Sequence, residues 1–221
     1  MQKSNKEMLI GSDIADGSWG SDVGKSVIPL QPVEGEEYDK KTGQGKTQWI
    51  GWLGGGGFKL KQYRDSWDYQ WGQGAEFGTF VKNDGGSGNI TVPEAGYYTV
   101  TLNTATDELK IELTELAPTV FPIINIAGTF NDWGDTPMNA CSAGEYNHDW
   151  YIEQELAAGD KFKVKDNTSS WDYNRGGTPV ADGKEFYVFG TQGGPDIVVE
   201  EAGTYMIIFN DITGYIRYYK K

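Results

Sequence analysis

Tryptophan, lysine and aspartate recur in one arrangement at two places in the chain. FKLKQYRDSWDYQWG (58–72) and FKVKDNTSSWDYNRG (162–176) share Phe58/Phe162, Lys59/Lys163, Lys61/Lys165, Ser66/Ser170, Trp67/Trp171, Asp68/Asp172, Tyr69/Tyr173 and Gly72/Gly176. That is 8 of 15 positions at a constant spacing of 104. The first four residues of each copy alternate apolar and cationic, which predicts a strand with Phe and Leu or Val on one face and both lysines on the other. A polar turn then delivers Trp-Asp-Tyr. Aromatic faces beside cations and carboxylates suit a sugar ring, whose C–H face packs on an indole and whose hydroxyl edge needs charged or amide partners. Trp133 and Trp171 are the candidate faces, with Lys163 or Lys165 and Asp196 as the edge.

Other chemistry finds little support. The single histidine, His148, precedes a predicted strand, and no Gly-x-Ser-x-Gly motif accompanies it. The repeated acids Asp68/Asp172 and Glu94/Glu201 do not form an evident glycosidase pair, since Glu94 and Glu201 fall in tight turns. The turn DNTSSWD lacks the spacing of a calcium loop, and no His/Cys set has metal-ligand spacing. Gly54–Gly57 is not followed by Lys-Ser or Lys-Thr, so it reads as a flexible hairpin connection rather than a phosphate loop. A lone Cys141 reads as a small buried side chain. The expectation is therefore no enzyme, no metal and no cofactor. A net charge of -13 argues against a nucleic-acid partner.

Thirty-one glycines and many short alternating runs predict an all-β chain. A second set of matches, Asn89/Asp196, Ile90/Ile197, Val92/Val199, Glu94/Glu201, Ala95/Ala202, Gly96/Gly203 and Tyr98/Tyr205, extends the repeat to the end of each half. Two tandem immunoglobulin-like β-sandwich domains of seven or eight strands follow, residues 1–116 and 117–221, with TELAPTVFP (114–122) as a semi-stiff linker. Residues 1–6 read as frayed. Strands are expected at EMLIG (7–11), KSVIPLQPV (25–33, an edge because of its prolines), TQWIGWL (47–53), EFGTFVK (76–82), HDWYIEQEL (148–156) and KEFYVFG (184–190). Trp19 corresponds to Trp133, and domain one carries about ten extra residues between that tryptophan and the lysine strand. Trp150, alternating with Ile152, reads as core, and a core role stays open for each of the other tryptophans. No apolar run approaches the roughly 18 residues of a membrane span, and the first ten residues lack the apolar stretch of a signal peptide.

INIAGTFNDWG, the FKVK strand, the Trp turn and the closing DIVVEEAGTY pair together resemble the starch- and glycogen-binding modules of the β-sandwich type. The tandem arrangement is similar to the C-terminal half of SusE/SusF-like outer-membrane proteins of starch-utilisation systems, and the resemblance covers nearly the whole chain. It implies non-catalytic α-glucan binding through Trp133, Trp171, Lys163 and Asp196 in domain two and Trp19, Trp67, Lys59 and Asn89 in domain one. The repeat adds Lys61, Lys165, Tyr69 and Tyr173 to the candidate set. The resemblance further implies a lipid-anchored place on the outer face of the outer membrane, beside other glycan-uptake proteins, and a longer natural protein. Asp196 departs from the family's usual asparagine, and Trp71 stands where domain two has Arg175. Related modules bind other polysaccharides. A structural spacer, or an enzyme on the same polymer, is the alternative from another class.

Overall fold

The computed structural model describes residues 7–62 and 66–221. Residues 1–6, expected to fray, and 63–65, inside the first copy of the repeat, lie outside the described residues. Chain contacts define one unit that ends at Pro118 and includes Cys141–Asn147, and a second formed by Thr119–Ala140 and His148–Lys221.

In the first unit the strands are β1 (Met8–Gly11), β2 (Val27–Pro29), β3 (Gln31–Pro32), β4 (Tyr38–Asp39), β5 (Gln44–Leu53), β6 (Phe58–Lys61), β7 (Gln70–Gln73), β8 (Phe80–Lys82), β9 (Gly96–Asn103) and β10 (Glu108–Leu113). They form one sheet in the order β2-β1-β6-β7-β8 and another in the order β10-β9-β5-β3, with β4 also on β5. The proline-bearing segment 27–32 supplies an edge strand to each sheet, as expected for residues that cannot donate to a ladder on both sides. Strict alternation along β5 and β9 buries Trp49, Leu53, Tyr98, Val100 and Leu102, and Phe58 and Leu60 of the other sheet are buried as well.

The second unit comprises β11 (Ile124–Gly128), β12 (Thr136–Pro137), β13 (Asn139–Ala140), β14 (Asp149–Leu156), β15 (Lys161–Asp166), β16 (Asn174–Gly176), β17 (Val180–Asp182), β18 (Glu185–Phe189), β19 (Thr191–Gln192), β20 (Ile197–Val198), β21 (Gly203–Asn210) and β22 (Tyr215–Lys220). One sheet runs β12-β11-β15-β16-β19, with β20 on β15, and the other β13-β14-β21-β22-β18-β17. Ile124, Ile126, Phe162 and Val164 from the first meet Trp150, Ile152, Tyr205, Ile207, Phe209 and Tyr218 from the second in one core. Both units are antiparallel β-sandwiches, and Trp150 is core as its alternation required. The repeated stretch takes the same register in each: Leu60 faces Trp71 as Val164 faces Arg175, and Phe58 bridges Ile90 as Phe162 pairs with Ile197.

Three sequence expectations change. Gly54–Gly57 is not a hairpin, because β5 and β6 belong to different sheets, and the connection is held by Asp13, whose carboxylate accepts from the Gly54 N–H at 3.0 Å. Only Phe80–Lys82 of the segment 76–82 is strand. Glu76–Thr79 closes a turn instead, with the Thr79 hydroxyl on the Glu76 carbonyl at 2.7 Å. Among the described residues the strands number ten and twelve rather than seven or eight, since short edge pieces pair separately.

Tyr215 and Tyr218 are buried in the second unit, and desolvation, the largest influence on each, pushes both hydroxyls well above the ordinary tyrosine range. The folded chain holds these protons while the unfolded chain releases them. Their stabilising contribution is therefore complete below about pH 10 and is lost as pH rises beyond it. Alkaline titration is expected to show part of the tyrosinate absorbance rising only together with the loss of β-sheet circular dichroism. Complete tyrosine ionisation in a chain that stays folded would contradict this burial.

Candidate functional site

In the second unit, β11 runs into a short 3₁₀ turn, Thr129–Asn131, and the chain reverses at Asp132 and Trp133, both in the left-handed region at φ 54° and 61°. Asn131 fixes that reversal. Its amide oxygen accepts from the Gly128 N–H at 2.9 Å, and its amide nitrogen donates to the Gly134 carbonyl at 2.7 Å and the Thr136 hydroxyl at 2.8 Å. Trp171, in the turn between β15 and β16, is also left-handed at φ 59°. A bulky side chain there costs about 1–2 kcal/mol, and such strain concentrates where function requires a set geometry. The two indoles meet edge to face, with centroids 6.0 Å apart at 60°. Both are half-buried.

Lys165 lies beneath Trp171. Its ammonium sits 5.1 Å from the Trp171 ring centroid and donates to the Asp135 carboxylate at 2.7 Å, with 1% of the residue exposed. One lysine thus ties the turn carrying Trp133 to the turn carrying Trp171. Because Lys165 is buried, the face it covers is the inward one, and the exposed part of Trp171 looks outward. Asn174 links the ring to the neighbouring lysine: its amide donates to the Trp171 carbonyl at 2.7 Å, and its oxygen accepts from Lys163 at 3.4 Å. Lys163 also faces Asp196 at 3.8 Å. The result is a paired-indole surface flanked by a cation, an amide and a half-exposed carboxylate.

The first unit repeats the plan with different fittings. Trp19, left-handed at φ 59°, and Trp67, 42% exposed, have centroids 6.5 Å apart at 35°. The Trp19 indole N–H donates to Ser12 at 3.2 Å. Its turn is held by Asp16, which accepts from the hydroxyls of Ser18 at 2.6 Å and Ser26 at 3.2 Å. Desolvation pushes the Asp16 carboxyl up, but these hydrogen bonds together outweigh it and hold the group below its ordinary value. Lys61, 3% exposed, places its ammonium 4.4 Å from the Trp67 centroid. Lys59 donates to Gln70 at 3.0 Å and to the Ser87 carbonyl and hydroxyl at 3.0 and 3.1 Å. Desolvation lowers its pKa, with Asp84 opposing.

All four residues of β6 are buried, and Lys61 and Lys165 each hold the ammonium against an indole ring. Tyr173 joins another set of contacts: its hydroxyl donates to the Asp211 carbonyl at 3.0 Å, and its ring packs on Phe121 at 4.4 Å and under Arg175 at 4.3 Å. Tyr69 is exposed. Asn89 is also exposed, with its side chain against Gly57, and the partner that the repeat position suggests for Lys59 is instead Ser87. Sequence reading missed Asn131, Asp135, Gln70, Asn174 and Ser87. The pair Gln70/Asn174 was visible as amides at the repeat spacing of 104. The shared Gly72/Gly176 is explained by close approach, since a Cβ on Gly72 would lie 2.7 Å from the Gly88 carbonyl oxygen.

His148 is satisfied inside the second unit. Its Nδ1 lies 2.6 Å from one oxygen of Asp211, whose other oxygen accepts from the Trp150 indole at 2.7 Å. Desolvation is the main influence on Asp211 and raises its pKa, while the bonds from His148 and Trp150 pull it down. The group is buried, so it holds strands together and does not face a substrate.

No family model matches the chain, and no curated protein matches it. Among solved structures it is similar to SusF from Bacteroides thetaiotaomicron at 16% identity and a TM-score of 0.38, over 98% of this chain and 47% of that one. The chain thus spans about half the length of that structure.

At φ 61° glycine is unstrained and alanine is not. Trp133→Gly is expected to be about 1 kcal/mol more stable than Trp133→Ala in chemical denaturation. Equal stability, or a more stable alanine variant, would show that the left-handed backbone carries no strain.

Proposed function

We propose that this chain binds a polysaccharide without cleaving it, through a paired-tryptophan surface in each unit. The observation that carries the reading is the left-handed, half-exposed tryptophan in each unit, set against a second indole with a buried lysine beneath it. Stacked C–H faces gain from the indole quadrupole, and Lys163, Asn174 and Asp196 stand where hydroxyls of a seated ring need donors and acceptors. An α-glucan is the favoured ligand on the sequence resemblance, another neutral polysaccharide the second choice. The same resemblance supports a place at the outer face of a bacterial outer membrane within a glycan-uptake system. Open sites of this kind bind at about micromolar to millimolar Kd. Engagement of one polymer by both units raises apparent affinity by up to about 10²- to 10⁴-fold.

Affinity electrophoresis through amylopectin gels, with β-glucan, xylan, mannan and fructan gels beside it, tests the reading. Retardation by amylopectin is expected. Trp171→Ala should weaken it about tenfold or more in the second unit's contribution, consistent with about 1.5 kcal/mol for a lost aromatic contact, while the circular dichroism stays unchanged. Retardation by a different polymer changes the ligand. No retardation by any gel overturns the proposal in favour of a structural module.

A further inference from the structure

The first unit holds a second concave feature, distinct from the Trp19/Trp67 pair in its make-up. It is a cleft of about 190 Å³ lined by Tyr69, Trp71, Lys82, Asp107, Thr42 and Gln44, among other residues. Trp71 and Lys82 are register partners on β7 and β8, and the Lys82 ammonium lies 5.6 Å from the Trp71 ring centroid. The same ammonium pairs with Asp107 at 2.5 Å, across to the turn between β9 and β10. Asp107 is itself left-handed at φ 55°. Thr42, Gly43 and Gln44, at the turn leading into β5, also line the cleft, and the Thr104 hydroxyl donates to the Gly43 carbonyl at 3.0 Å.

The lining decides the ligand class. Among the described residues the lining carries two carboxylates, Glu7 and Asp107, and one ammonium, that of Lys82, a balance that disfavours an anion. Hydroxyls, amides and an ion pair disfavour a lipid or other apolar guest. Two aromatic rings edged by an ion pair, hydroxyls and amides match one ring of a neutral sugar, and the volume falls short of the ~300 Å³ at which pockets for larger molecules begin. In the second unit Arg175 replaces Trp71, its guanidinium lies over Tyr173 and it donates to Gln192 at 2.7 Å. The same residues therefore cannot build this cleft twice.

We infer that the cleft of the first unit is a saccharide subsite for one pyranose unit, separate from the paired-indole surface and unique to that unit. It makes the two units unequal in what they hold. Tyr69, which is exposed, supplies the main apolar contact beside the small accessible part of the otherwise buried Trp71, and the Lys82–Asp107 pair and the Thr42 and Gln44 side chains supply the hydroxyl partners.

The test uses the full chain with Trp67→Ala and Trp171→Ala, which removes an outward indole from each paired surface. The ¹⁵N-labelled variant is titrated with maltose, cellobiose, mannobiose and xylobiose in turn, while the indole N–H resonances are followed. Trp71 is assigned with Trp71→Phe. At least one disaccharide is expected to shift the Trp71 resonance saturably, and Lys82→Ala is expected to weaken that binding about tenfold, the loss of one good polar contact. No Trp71 shift with any disaccharide overturns the subsite, as does a shift that Lys82→Ala leaves unchanged. Neither result touches the paired-indole reading, which stands or falls on gel retardation of the unmodified chain.

Discussion

An ammonium group taken out of water must find compensation, and in both units it lies against an indole. Lys165 and Lys61 are almost wholly buried, each with its charge near the centre of a tryptophan ring. A cation held on a ring face is worth about 2 kcal/mol when desolvated, and in the second unit the Asp135 carboxylate adds the charge partner that a buried lysine requires. The consequence is positional. A ring fixed from below presents its other face at a set height and tilt, so the loss of side-chain freedom that weakens binding is met during folding. The turns around it are then free to be strained.

That strain is the second constraint. Trp19, Trp133 and Trp171 all adopt backbone angles that favour glycine, yet carry the largest side chain. The turns of Trp133 and Trp19 are over-determined by hydrogen bonds from a short polar residue, Asn131 in one unit and Asp16 with two serines in the other. Different residues thus reach the same result, an indole projected from a tight reversal. The sandwiches beneath supply rigidity through antiparallel ladders whose inward residues interlock between sheets.

Much of this was legible in the sequence. Period-two alternation placed β5 and β14, the repeat aligned the tryptophans, and prolines marked the edge segment 27–32. What alternation cannot tell is what covers the outward face of a strand, and so nothing in it announced that indoles lie over Lys61 and Lys165. The role of Tyr173 was hidden because its partner is a main-chain carbonyl at Asp211, which no side-chain pattern announces. Gly54–Gly57 looked flexible because glycine carries no signal for the distant Asp13 that binds it. The cleft beside Trp71 depends on where the turn before β5 lies, and turn conformation leaves little periodic trace.

The central claim is that outward tryptophan faces meet a glycan, and it can be read residue by residue. Oxidation of the folded chain by N-bromosuccinimide, mapped by mass spectrometry with and without saturating amylopectin, compares Trp19, Trp67, Trp133 and Trp171 with the buried Trp49 and Trp150. The account predicts that the polysaccharide protects the first four, while the buried pair stays unreactive in both conditions. Unchanged oxidation of all four in the presence of amylopectin, and of every other polysaccharide offered, would contradict it.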